Sequence, residues 1–173
     1  MIRTFALLIA AAAMSGCMTD GGGRDPSTSS ATAALKGVDG APRGTAGFSE
    51  QSGGVEVTAQ VAGLPPGVHG IHVHTTGKCE APDFQSAGAH WNPTARLHGR
   101  DNPDGAHHGD LPNITVAADG RGTLRFTLPG AEFAQMLDAD GASLVIHAAA
   151  DDQRTDPSGN SGGRIACGVI VRD

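Results

Sequence analysis

Residues 67–74 read Gly67-Val68-His69-Gly70-Ile71-His72-Val73-His74, a β-type run that carries three histidines. Side chains two residues apart on a strand point to the same face of the sheet. His72 and His74 are therefore predicted to share a face, whereas His69 has the opposite parity and should point away. Two imidazoles side by side on a rigid strand form part of a metal site, and the other ligands must come from elsewhere in the chain.

The rest of the chain also favours β-structure, because it has 26 glycines, no tyrosine and frequent turn signals. Further strands are predicted at 32–36, 43–49, 55–61, 113–117, 122–128, 143–149 and 164–171, with a short helical cap within 129–140. Together with the histidine strand they make about eight strands. This count predicts an all-β fold, an eight-stranded antiparallel Greek-key barrel or sandwich. Two long functional loops interrupt it, at 75–112 and 151–163.

The N-terminal segment has the composition of a secretory signal peptide. A short positive start precedes an apolar run at 5–13 that is too short to span a bilayer comfortably. Met14-Ser15-Gly16-Cys17 resembles a bacterial lipoprotein processing site, which implies removal of residues 1–16 and a lipid on Cys17. The alternative is ordinary cleavage nearby, with Cys17 an incidental thiol.

Two further segments follow the predicted cleavage point. Residues 17–33 are rich in Gly, Ser, Thr and Ala, which predicts a flexible tether without a core of its own. Residues 34–173 are predicted to form one folded domain. The formal net charge of the chain is −6, so no basic surface for nucleic acid is expected.

Seven of the eight histidines lie between His69 and His108, and the eighth is His147 on a predicted strand. A lone His-x-His pair is more often a satisfied surface or core pair than a metal site. The number of histidines in one region nevertheless favours metal binding, because imidazole suits copper and zinc and a carboxylate can complete a zinc site. The long loop offers His90, His98, His107 and Asp110 as further ligands.

Several motifs, in the same order along 34–173, resemble the copper/zinc superoxide dismutase family. His69-Gly70-Ile71-His72-Val73-His74 resembles its copper motif, and Gly88-Ala89-His90-Trp91-Asn92-Pro93 the segment of its bridging histidine. His98-Gly99 and His107-His108-Gly109-Asp110-Leu111 resemble its zinc-ligand run. Residues 141–152 resemble the strand of the last copper histidine, and Gly163-Arg164-Ile165-Ala166-Cys167-Gly168-Val169-Ile170 the C-terminal signature.

The resemblance implies one copper and one zinc ion per subunit. The implied copper ligands are His72, His74, His90 and His147, and the implied zinc ligands are His90, His98, His107 and Asp110. His90 would then bridge the two metals and act in catalysis by taking up and returning a proton. His69 is expected to be a structural hydrogen bonder, and His108 has no assigned role.

Other residues take roles from the same resemblance. Arg164 would attract and orient an anionic substrate, and Asp151 would hydrogen-bond one ligand of each metal. Cys79 and Cys167 would form a disulfide, which the chain-entropy model values at about 4 kcal/mol. Trp91 is expected in the core.

The function that the resemblance implies is dismutation of superoxide to dioxygen and hydrogen peroxide, as antioxidant defence outside the cytoplasm. The expected location is the bacterial cell envelope, in the periplasm, with membrane attachment only through a lipid on Cys17. A homodimer is the candidate assembly. The loop 151–163 contains Arg154 as its single cation, so electrostatic steering of superoxide is expected to be weaker or to be arranged differently.

Three other functions compete with this one. The histidines could serve a periplasmic copper or zinc buffer without turnover. The chain could instead be a structural or interaction lipoprotein that binds no stoichiometric metal. A zinc hydrolase is less favoured, because catalytic zinc needs an open coordination position and the expected four-ligand set is closed.

Overall fold

The structure is a computed structural model that describes residues 29–173. Nine strands of this part of the chain form one antiparallel sheet: β1 (Ser30–Gly37), β2 (Pro42–Gln51), β3 (Gly54–Val61), β4 (Gly67–His69), β5 (Ile71–His74), β6 (Ile114–Val116), β7 (Gly122–Pro129), β8 (Ala142–His147) and β9 (Arg164–Arg172). Their order across the sheet is β4-β6-β7-β3-β2-β1-β9-β8-β5. The two edge strands, β4 and β5, are consecutive in the chain, so the sheet curls into a nearly closed barrel. The predicted all-β antiparallel fold is confirmed.

The structure has nine strands where the sequence predicted about eight, because the histidine strand is divided at Gly70. Residues before Gly70 pair with β6, and residues after it pair with β8. Gly70 itself donates its N–H to Ala149 O at 2.8 Å and accepts a hydrogen bond from the N–H of His147 at 2.8 Å. A Cβ at Gly70 would lie 2.9 Å from the Cβ of Ser161. The chain therefore changes partner at a residue with no room for a side chain.

The folded domain begins earlier than predicted. Strand β1 starts at Ser30, so residues 30–33 belong to the sheet and not to the predicted tether. Ala31, Ala33 and Leu35 are buried while the residues between them are exposed. Alternation with alanine as the buried residue is a weak signal, so composition alone assigns residues 30–33 to the tether. The predicted signal peptide and Cys17 lie outside the described residues.

The predicted helical cap is present but short. It consists of one turn, α1 (Phe133–Met136), whose Phe133 and Met136 side chains are buried in the core. The core fills the barrel with the inward faces of the strands. Trp91 belongs to it, as expected, with only 6% of its surface exposed. In residues 29–173 the structure contains no helix with the length and apolarity needed to cross a membrane.

The two long loops lie beside β5, β8 and β9. The loop between β5 and β6 has one turn of 3₁₀-helix (Gln85–Ala87) and is otherwise irregular. It is fixed by isolated bridges from His74 to His90 and from His72 to Asp110, and by a disulfide between Cys79 and Cys167 of β9. The second loop connects β8 to β9. Both loops bring polar side chains to the edge of the barrel that carries His72 and His74.

Candidate metal centre

Four histidines meet beside the end of β5. His72 and His74 come from alternate positions of β5, and His147 ends the neighbouring strand β8. His90 comes from the long loop, where the N–H of Trp91 donates to Val73 O at 2.8 Å and seats the loop against β5. One ring nitrogen from each histidine lies within 4.8 Å of the others, and all four side chains are buried. The structure therefore brings together the four residues expected to hold copper.

The nitrogens that converge in this cluster have no partner within the described chain. They are His72 Nδ1 and the Nε2 atoms of His74, His90 and His147, all of them buried. A buried polar atom without a hydrogen bond is costly, so four such nitrogens at one point fit a site that binds a metal ion.

Hydrogen bonds at the opposite ring nitrogens of two of these histidines determine where the protons are. His74 Nδ1 lies 2.9 Å from Gly88 O, and His147 Nδ1 lies 3.1 Å from Gly162 O. A carbonyl oxygen can only accept, so Nδ1 donates in both cases. In the neutral ring the other nitrogen, Nε2, then presents a lone pair to the cluster. Convergent imidazole lone pairs of this kind suit copper.

A second cluster shares His90 with the first. It consists of Nδ1 of His90, His98 and His107 and Oδ1 of Asp110. Asp110 Oδ1 lies 2.9 Å from His90 Nδ1, 3.1 Å from His98 Nδ1 and 3.4 Å from His107 Nδ1, and the Nδ1 atoms of His90 and His107 are 3.4 Å apart. A tetrahedral zinc site with bonds of 2.0–2.1 Å has ligand atoms about 3.3 Å apart. The donor set and its spacing therefore fit zinc.

The second oxygen of Asp110 fixes the carboxylate in place. Oδ2 accepts the backbone N–H of Gly99 at 2.9 Å and that of His107 at 3.0 Å. Oδ1 is thereby directed into the cluster. The orientation of the carboxylate is set by the fold of the loop.

Asp151 connects the two clusters from outside. Its Oδ2 lies 2.7 Å from His72 Nε2, and its Oδ1 lies 3.1 Å from His98 Nε2. Both carboxylate oxygens accept from the Nε2 atoms of these rings. The Nδ1 atoms of His72 and His98 are therefore free for the clusters. One buried side chain thus orients one imidazole of each set, as expected for Asp151.

Burial keeps the histidines of the first cluster neutral. Desolvation lowers the pKa of His72 to about 3 and that of His147 to about 4. It also lowers the pKa of His74 well below its ordinary value and lowers that of His90. Protons therefore compete weakly for the convergent nitrogens near neutral pH.

The second cluster is electrostatically different. Burial of His98 opposes its protonation, but hydrogen bonds to Asp110 and Asp151 outweigh this effect and raise its pKa to about 9. Burial would raise the pKa of the Asp110 carboxyl, yet hydrogen bonds from the surrounding histidines hold that pKa well below its usual range. The acidic second cluster thus attracts a cation, which is a proton in the metal-free protein.

Arg164, the first residue of β9, lies next to the first cluster. Its Nη1 donates to Phe84 O at 2.6 Å and its Nη2 to Gly88 O at 2.7 Å. Its charge contributes to the lowered pKa values of His74 and His147, after the larger effect of burial. The guanidinium is half-buried and fixed close to the histidines, a position from which it can meet an anion.

The disulfide lies beside Phe84, whose backbone carbonyl accepts a hydrogen bond from Arg164. Cys79 and Cys167 are bonded, with Cα atoms 5.6 Å apart across a sequence separation of 88 residues. Cys79, Cys167 and Phe84 pack in one small buried cluster together with Ala87 and Val145. The expected disulfide is thus present, and it attaches the segment before His90 to the last strand.

Two histidines remain outside both clusters, as the sequence indicated. His69 Nδ1 contacts His147 O at 2.8 Å, and its Nε2 contacts Pro65 O at 2.9 Å. His108 packs against Trp91, with ring centroids 5.3 Å apart. Neither ring is directed at the clustered donor atoms.

Sequence reasoning missed two residues that contact this centre. Asn113 exchanges two hydrogen bonds with the backbone of Asp151, both 2.8 Å long. Asp156 accepts the backbone N–H of His98 at 2.7 Å. A single asparagine before a strand and a single aspartate in a polar loop carry no local pattern. Only the packing of the two loops reveals their contacts.

Comparison with known proteins agrees with this geometry. The family model for copper/zinc superoxide dismutase matches residues 42–170. The chain is 45% identical over 148 residues to superoxide dismutase [Cu-Zn] of Caulobacter vibrioides, covering 82% of this chain and 85% of that protein.

Two solved structures are also similar. A SOD-like protein from Bacillus subtilis aligns with a TM-score of 0.77 and 38% identity, over 81% of this chain and 97% of that chain. The Cu/Zn superoxide dismutase from Brucella abortus aligns with a TM-score of 0.66 and 31% identity, over 82% and 99%. With the fold, the paired clusters and the sequence match in agreement, the chain belongs to the copper/zinc superoxide dismutase family.

Proposed function

We propose that the chain dismutates superoxide to dioxygen and hydrogen peroxide with copper in the first cluster and zinc in the second. His72, His74, His90 and His147 would hold copper, and His90, His98, His107 and Asp110 would hold zinc. The observation that carries this proposal is the set of four buried imidazole nitrogens that converge without a partner. Membership of the family supplies the reaction.

Copper, when bound, supplies the one-electron redox chemistry, whereas zinc keeps one oxidation state and serves structure and charge. The chain contributes a proton carrier at His90. Its Nδ1 is in the zinc set and its Nε2 is in the copper set, and Nε2 has one lone pair. When that nitrogen is not bound to copper it would hold a proton, which it would pass to the reduced substrate. Because Asp110 and the fold fix the ring, the proton is delivered at a constant position.

Arg164 is proposed to bind the substrate. Two backbone carbonyls, of Phe84 and Gly88, hold its guanidinium. These two contacts use only part of its five N–H donors. The remaining donors and the positive charge can orient superoxide beside the copper set.

We also propose that the protein acts outside the cytoplasm, attached to the cell envelope by a lipid on Cys17. The disulfide supports this location, because disulfides persist in oxidising compartments. A Cys17→Ala variant is expected to move from the membrane fraction to the soluble fraction. If the variant stayed in the membrane fraction, something other than a lipid on Cys17 would attach the protein. A homodimer remains a prediction, to be checked by light scattering.

The test of the activity is superoxide consumption by protein loaded with one equivalent each of copper and zinc. The expected result is rapid consumption that a copper chelator abolishes. A loaded, disulfide-bonded sample that binds both metals but leaves superoxide at its uncatalysed rate of decay would overturn the enzyme proposal. Such a result would favour a metal buffer.

A further inference from the structure

The five histidines that belong to only one of the two clusters follow one rule, with a single exception. In His72 and His98 the nitrogen that faces away from the cluster contacts Asp151, at 2.7 and 3.1 Å. In His74 and His147 it donates to a backbone carbonyl, at 2.9 and 3.1 Å. His107 directs Nδ1 into the second cluster, and its Nε2 has no hydrogen-bond partner within residues 29–173.

An acidic group, Asp156, lies close to this nitrogen. Its Oδ1 lies 3.8 Å from His107 Nε2 and also accepts the backbone N–H of His98 at 2.7 Å. The hydrogen bond from His98 holds the carboxylate over the zinc set. A neutral His107 that presents its Nδ1 lone pair to the cluster must carry its proton on Nε2, which faces Asp156.

We infer that Asp156 is a positioning residue for the proposed zinc site: it fixes His98 through the backbone and provides the negative partner for the Nε2–H of His107. This inference rests on the proposed function, since it assumes zinc in the second cluster. Outer carboxylates of this kind set the orientation and basicity of metal-bound imidazoles. With Asp151, the carboxylates of the loop 151–163 then orient three histidines of the centre, His72, His98 and His107. The same loop also supplies Gly162 O as the acceptor for His147 Nδ1.

This role of Asp156 also accounts for the unusual charge of the loop. Its single cation, Arg154, is exposed, and three of its residues are acidic. Asp151 and Asp156 contact residues of the zinc set, whereas Asp152 accepts only from its own loop, including the N–H groups of Arg154 and Thr155. Two of the three acidic residues therefore help to hold zinc. Their negative charge also weakens the positive potential that would attract the anionic substrate.

The experiment compares zinc release from fully loaded Asp156→Ala, Asp156→Asn and wild-type protein into a chromogenic chelator. Loss of an outer-sphere partner typically weakens metal binding about 10- to 100-fold. We expect zinc release to accelerate by such a factor in Asp156→Ala. Asp156→Asn should be intermediate, because its amide oxygen can still accept from His98 but its charge is lost. Asp156→Glu keeps the negative charge, so it should release zinc more slowly than Asp156→Ala.

Two controls separate this role from a general effect on the loop. Asp152→Asn removes a neighbouring charge that contacts no histidine, and it should release zinc at the wild-type rate. Copper release should be unchanged in every variant. Cobalt placed in the zinc set gives a visible spectrum that reports ligand geometry, and it should shift in both Asp156→Ala and Asp156→Asn.

Wild-type rates of zinc release in Asp156→Ala would overturn the inference. Equal acceleration in Asp152→Asn would also overturn it, because loop charge alone would then explain the effect. Asp156→Asn keeps the test available if the alanine variant fails to fold. A wild-type protein that retains zinc without consuming superoxide would refute the proposed activity but leave this comparison of release rates valid.

Discussion

Arg164 and His74 share one acceptor. The carbonyl of Gly88 accepts from Arg164 Nη2 at 2.7 Å and from His74 Nδ1 at 2.9 Å. A single peptide group therefore sets both the orientation of a proposed copper ligand and the position of the proposed substrate-binding cation. Gly88 adopts φ +78°, and a Cβ there would lie 2.6 Å from Thr75 Oγ1, so any other residue at this position would strain the backbone and clash.

Replacement of Arg164 by Ala should slow superoxide consumption without removing copper. The variant loses the charge that attracts the anion and both hydrogen bonds, but it keeps all seven proposed ligands. A local positive charge can raise association rates about tenfold or more, so a decrease of about that size in kcat/KM is expected. Stopped-flow decay of superoxide, together with metal analysis, measures both quantities.

Arg164→Lys is the matched control for this prediction. Lysine keeps the charge but cannot reach two carbonyls with a planar fork, so its rate should lie between those of alanine and wild type. Loss of copper in either variant would show that Arg164 acts mainly through His74.

Replacement of Asp110 by Ala should impair zinc binding far more than copper binding. Asp110 contributes Oδ1 to the zinc set only, and its Oδ2 holds the backbone of Gly99 and His107. The loss of zinc affinity should exceed the roughly 100-fold that an outer contact can cost. Equal loss of both metals in competition titrations would argue against separate sites, or would show that the loop collapses as a unit.

Much of this site could be predicted from the sequence, because strand geometry is periodic. Alternation correctly predicted that His72 and His74 share one face. His69 is separated from them because the strand is divided at Gly70, which alternation does not predict. The seven proposed ligands lie in motifs whose order along the chain resembles one family. The start of β1 could not be predicted, because the alternating alanines at its N-terminal end give too little contrast to distinguish a strand from a tether.

The contacts that the sequence did not predict are those between the two long loops. Asp156 and Asn113 are far from their partners along the chain, and no periodic element fixes their position. Their hydrogen bonds to His98 and Asp151 depend on how two irregular segments pack. Such packing follows from many small contacts, and a single sequence does not reveal it.

The metal-free protein should be most stable near pH 6.5 and less stable on either side. His72 and His147 have pKa values lowered to about 3 and about 4 by burial, whereas an unfolded histidine titrates near 6.5. Below pH 6.5 the unfolded chain binds more protons than the folded one, so the fold is destabilised as the pH falls through about 4. Above pH 6.5 His72 and His147 are neutral in both the folded and the unfolded chain, so they no longer make stability depend on pH.

His98 has the opposite effect on the alkaline side. Its pKa is raised to about 9, so its stabilisation of the fold is complete below pH 6.5 and is lost as the pH rises through about 9. Denaturant unfolding of chelator-treated protein at a series of pH values should therefore show a maximum in the free energy of unfolding between the acidic and alkaline limbs. With zinc bound at His98 the proton is absent, and the alkaline limb should disappear. A metal-free stability that is constant from about pH 5 to 9 would contradict this account.

Replacement of Gly159 by Ala should disrupt the contact between Asp151 and His98. Gly159 has φ +61°, and a Cβ there would overlap Asp151 Oδ1 and lie 2.8 Å from His98 Nε2. Overpacking of this kind costs about 1–3 kcal/mol, and here it acts directly on the carboxylate that orients one imidazole of each cluster. Gly163→Ala is the control in the same loop, because nothing lies within 4 Å of its Cβ position. We expect Gly159→Ala to unfold at lower denaturant and to release both metals faster, while Gly163→Ala resembles wild type. If both variants released metal equally fast, the loop would be sensitive to any added side chain and the close approach of Gly159 to Asp151 would not be the cause.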